Sequence, residues 1–69
     1  MVKISLAAAR VNANMTQAQA AEKLNINKAT LVNWEKGKSK ISFEKLMNLC
    51  KLYDIPVDFI SVPERLTKS

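Results

Sequence analysis

At 69 residues the chain makes one domain at most, and so small a domain buries too little surface to be robust by its core alone. One cysteine and no histidine exclude an internal disulfide and a zinc site, so regular helix packing or a second copy of the chain must supply stability. Eleven Lys and Arg against six Asp and Glu give a net charge of +5, which favours an anionic partner, and no apolar run approaches the ~20 residues that would cross a membrane.

The start, Met1 to Ala9, is apolar but broken by Ser5 and closed by Arg10. That is too short an apolar core for a secretion signal, so it is predicted to open a first helix from about Val2 to Ala13. Leu6, Ala9 and Ala13 make its inward stripe, and Asn12 and Asn14 mark its end. Thr16-Gln17-Ala18-Gln19 reads as a capping box that starts a second helix, with Ala20, Ala21 and Leu24 on its apolar face. Asn25-Ile26-Asn27 then forms a tight turn. Asparagine tolerates the left-handed backbone such a turn needs, and Asn27 is a good cap for the next helix.

A third helix is predicted over Lys28–Lys36, with Gly37 in the position of a C-terminal glycine. Lys38 to Ile41 reads as a basic loop. Ser42 caps a fourth helix through Tyr53, with Phe43, Leu46, Leu49, Cys50 and Tyr53 turned inward. Pro56 opens a short fifth helix over Val57–Ile60. From Pro63 the chain reads as a polar tail, so the expected division is a domain over 1–62 and a tail over 63–69. No stretch alternates like a strand, and the fold class is all-α.

Residues 16–36 are the informative stretch: a capped helix, a turn of three residues and a second capped helix, the pattern of a helix-turn-helix. In the second of these helices Leu31 and Trp34 face in, with Thr30 beside them. Lys28, Ala29, Val32, Asn33 and Lys36 then share the outer face. Their chemistry suits a DNA major groove. Lysine donates to guanine O6 and N7, asparagine pairs with adenine N6 and N7, and Ala29 and Val32 fit thymine methyls. Lys28, Ala29, Val32 and Asn33 are therefore the candidate base contacts. Thr16, Gln17, Asn27, Lys36, Lys38 and Lys40 are the candidate phosphate contacts, Gln17 because a helix start offers free amides to an anion, with Thr16 and the lysines clamping the backbone further along.

The segments Met15-Thr16-Gln17-Ala18-Gln19-Ala20-Ala21-Glu22-Lys23-Leu24 and Asn25 to Lys38, with Trp34-Glu35-Lys36-Gly37-Lys38, resemble the Cro/C1-repressor family, as does Ile55-Pro56-Val57-Asp58-Phe59. The resemblance spans roughly residues 4–61. It implies a compact five-helix, lambda-repressor-like DNA-binding domain that acts as a homodimer on palindromic double-stranded operator DNA; the cytoplasmic location is expected from the lone thiol, which fits a reducing compartment. It implies phosphate contact by Gln17 and base contact by Lys28, Ala29 and Asn33. It also implies an ion pair between Arg10 and Glu35, which makes Glu35 structural. Asn25 and Asp54 stand where the family often has glycine, and Ile41 where it often has proline.

An enzyme is not expected, since the chain has no histidine, no credible carboxylate pair and no glycine-rich loop. No cofactor, metal, small-molecule ligand or membrane contact is expected, and Cys50 reads as core. A protein-interaction module of the antitoxin type is the alternative use of the same fold. The dimer expectation rests on Val57, Phe59, Ile60 and Val62 as an apolar C-terminal surface.

Overall fold

The computed structural model describes residues 3–61. The expected tail over 63–69, and Val62, lie outside that range. In chain order the elements are β1 (Ile4–Ser5), α1 (Leu6–Asn12), α2 (Gln17–Leu24), α3 (Lys28–Lys36), α4 (Phe43–Tyr53), a single 3-10 turn (Val57–Phe59) and β2 (Ile60–Ser61). The fold is therefore mostly helical, with four α-helices among the described residues.

Two expectations about where helices begin and end are corrected. The first helix starts at Leu6, because Ser5 caps it: the Ser5 side chain accepts from the Ala8 amide at 3.0 Å. Ile4 and Ser5 instead run parallel to Ile60 and Ser61, in a two-stranded pairing with Ile4 opposite Ile60. The fifth helix is only the 3-10 turn, and Ile60 is pulled into this pairing and buried.

One local rule builds every helix start. The caps are Ser5, Thr16, Asn27 and Ser42. Each follows an apolar residue, namely Ile4, Met15, Ile26 and Ile41, and each is followed four positions later by a buried one, namely Ala9, Ala20, Leu31 and Leu46. That is the hydrophobic staple, in which the residue before the cap packs back on the first full turn. All eight side chains belong to the one core cluster or pack against it. The rule also explains Phe43. Ile41 goes into the core at 2% exposure, while Phe43, one step past the cap, is left outside at 61%. The prediction that Phe43 faces inward is thus wrong.

The helix ends share a second device. Asn14, Asn25, Gly37 and Asp54 all take positive φ, between 57° and 75°. The amide after each reaches back to close the last turn: Met15 to the Arg10 carbonyl, Ile26 to Ala21, Lys38 to Asn33 and Ile55 to Cys50, at 2.9–3.2 Å. In Met15 and Ile26 the residue that closes one helix also staples the next. The α1–α2 and α2–α3 connections therefore share one three-residue unit, a left-handed asparagine, an apolar plug and a cap, which Ala13 precedes in the first of them.

Candidate nucleic-acid interface

Helix α3 stands on α2 through Leu31 and Trp34, which are buried together with Ala20 and Ala21. Small alanines on α2 allow a close approach, and this fixes which side of α3 faces solvent. Lys28, Ala29 and Lys36 are exposed on that side, while Val32 and Asn33 are half-buried. The five outward residues do share a face, but the face is graded: its N-terminal end stands free and its middle is partly covered.

The capping box at α2 is complete. The Thr16 hydroxyl oxygen accepts from the Gln19 amide at 3.1 Å, and the Thr16 amide donates to Gln19 Oε1 at 2.9 Å. The Thr16 hydroxyl proton remains available to an outside acceptor. Asn27 occupies the cap position of α3, but its side chain makes no capping bond, contrary to expectation. Its side-chain amide stands exposed at the start of α3, with no hydrogen-bond partner among the described residues. Lys36, Lys38 and Lys40 are exposed around the end of α3 and the loop that follows.

Electrostatically the decisive residue is Glu35, the sole acid between Lys28 and Lys40. It turns inward and pairs with Arg10, Nε to Oε2 at 2.8 Å and Nη2 to Oε1 at 3.4 Å, with side chains only 13% and 6% exposed. This is the sole ion pair among the described residues. The lysines of the outer surface keep their charge unopposed, which a flat reading of the sequence does not show.

Three parts of the site were missed at the sequence level. Arg10 Nη1 also donates to the Met15 carbonyl at 2.9 Å, so one guanidinium ties α1 to the turn before α2 and to α3. Gln17 Nε2 donates to Glu35 Oε1 at 2.9 Å, across a separation no local pattern reveals. Lys45, in the first turn of α4, lines a shallow cleft with Asn25, Ile26, Asn27, Thr30 and Trp34.

A helix, a three-residue turn and a helix with an exposed basic face define a helix-turn-helix domain, and the chain belongs to the helix-turn-helix family, which it matches over residues 6–60. Among transcription regulators it is similar to the HTH-type transcriptional regulator ImmR of Bacillus subtilis (strain 168), with 35% identity over 60 residues, 87% of this chain and 47% of that one. It is also similar to the HTH-type transcriptional activator BcrR of Enterococcus faecalis, with 32% identity over 57 residues, 83% of this chain and 28% of that one. The chain thus spans less than half the length of these relatives. No solved structure matches it. Among the described residues no group of side chains is suited to a metal ion, and no helix is long and apolar enough to cross a membrane.

Proposed function

We propose that this protein is a sequence-specific binder of double-stranded DNA that regulates transcription, in the manner of a repressor occupying its operator. The observation that carries the reading is the outer surface of α3. Lys28 and Ala29 stand free at its start, Asn33 follows one turn on, and Glu35 is withdrawn to Arg10 so that the lysines act alone. Lys28, Ala29, Val32 and Asn33 read base edges in the major groove. Thr16, Gln17, Asn27, Lys36, Lys38 and Lys40 hold phosphates on either side and set the register. The similarity to two proteins named as transcription regulators supports the same role.

The test is selection of binding sites from random duplex DNA, followed by titration of the winner against a scrambled duplex at several salt concentrations. An inverted repeat bound at least ~10³-fold more tightly than the scramble is the expected result. Lys28→Ala and Asn33→Ala should each lose ~1–3 kcal/mol of that discrimination. If all duplexes bind alike, and affinity collapses as salt rises, only the charge is binding. The domain would then serve as an architectural binder or a protein-interaction module.

A further inference from the structure

Glu35 touches more than its ion-pair partner. Its Oε1 accepts from Gln17 Nε2 at 2.9 Å as well as from Arg10 Nη2 at 3.4 Å. A carboxylate can only accept, so the atom of Gln17 facing it must be the amide nitrogen. Of the two N–H bonds on that nitrogen one is thereby held, and the second has no partner among the described residues. Gln17 sits in the first turn of α2, beside the Thr16 cap.

We propose that Glu35 is a positioning residue for DNA-backbone binding: it fixes the Gln17 amide by one N–H so that the other is presented to a single phosphate. The proposal rests on the reading of the α2 start as a phosphate contact. Arg10 makes the arrangement workable, because an unneutralised carboxylate this close would repel the phosphate it helps to bind. The Arg10–Glu35 pair then does two things. It ties α1 to α3, and it aims a donor that would otherwise rotate freely between its nitrogen and oxygen faces.

The experiment replaces operator phosphates one at a time with neutral methylphosphonate and measures affinity for the wild type, Gln17→Ala and Glu35→Gln. In the wild type one phosphate per half-site should show a penalty of roughly 10- to 100-fold, the scale of a hydrogen bond to a charged group. That penalty should vanish in Gln17→Ala. In Glu35→Gln, whose new amide no longer dictates which face Gln17 presents, it should fall at that same phosphate by at least half on a logarithmic scale. A Glu35 that merely held the fold would weaken all phosphate contacts evenly or none, and either result overturns the proposal. If no phosphate shows a penalty in the wild type, the phosphate reading itself fails. Should Glu35→Gln not fold, the wild-type Gln17 side-chain amide decides by nuclear magnetic resonance. On addition of the duplex one proton should shift while the other keeps its hydrogen-bonded position. Loss of that bonded position would mean the amide leaves Glu35 to reach DNA, against the proposal.

Discussion

Tyr53 lies on the inward face of α4 at 5% exposure, and its hydroxyl has no hydrogen-bond partner among the described residues. Burial, with the Glu35 carboxylate nearby and Arg10 opposing it, pushes its pKa up to about 12. The unfolded chain would ionise near ~10. Below that pH both states hold the proton and the shift contributes no pH dependence. Above it the unfolded state releases the proton while the folded state retains it, so stability falls by about 1.4 kcal/mol per pH unit until the folded group titrates. Tyr53→Phe should remove this alkaline slope, and at pH 7 it should be as stable as the wild type or up to ~1 kcal/mol more so. Urea denaturation of both proteins at pH 7 and pH 11 checks the pair. A Phe variant clearly weaker at pH 7 would show that the hydroxyl does have a partner. Burial likewise pushes the Cys50 thiol up, in keeping with a core residue.

At the scale of elements, the left-handed residues that end the helices are not equivalent. Asn14, Asn25 and Asp54 are followed by Met15, Ile26 and Ile55, which pack against the core and help hold the backbone in place. Gly37 is followed by the exposed Lys38, which offers no such packing, and here the residue without a Cβ stands. Asp54 also puts a negative charge at the negative end of α4. Asp54→Gly should therefore stabilise by about 0.5–1 kcal/mol, whereas Gly37→Ala should destabilise by about 1–2 kcal/mol. Thermal unfolding of both variants gives the signs, and equal effects at the two sites would undo the distinction. Much of this grammar is legible in the sequence. The capping box, the Asn25-Ile26-Asn27 turn, Gly37 and the Ser42 cap all stand where they were expected. Applying the apolar-cap-apolar spacing of Ile41, Ser42 and Leu46 throughout would also have found Ile4, Ser5 and Ala9, and so the true start of α1. What remained hidden was β1 and β2. Their pairing joins residues 56 positions apart, and two-residue strands carry no periodicity.

On the scale of the whole molecule, the described Cα atoms span 28 × 24 × 18 Å. Half-sites one helical turn apart place domain centres ~34–36 Å from each other, so two copies would meet only at their rims. The surface first assigned to pairing is also smaller than the sequence suggested. Ile60 is buried in its own core and Val57 is half-buried, which leaves Phe59, at 41% exposure, as its outward member among the described residues. Phe43 and Met47 add exposed apolar area on α4. A stable interface buries about 800 Å² on each partner, which a few such side chains do not reach. The chain should therefore sediment as a monomer alone at micromolar concentration and as two copies on a palindromic duplex. A stable dimer without DNA would require a larger contact than these residues supply. A single copy per palindrome would end the symmetric reading.

The sequence by itself determined helices α2, α3 and α4, the Thr16 and Ser42 caps and the composition of the outer face of α3, because each depends on residues within about four positions of one another. It also supplied a charge that favours nucleic acid. Tertiary structure alone decided where Glu35 points, which nitrogen of Gln17 is held, and that the two ends of the domain pair as strands. These depend on groups far apart in the chain, brought together only when α1, α2 and α3 close on Leu31 and Trp34. That closure turns Glu35 from an interruption in a basic surface into the inner partner of Arg10, and leaves the lysines outside unopposed.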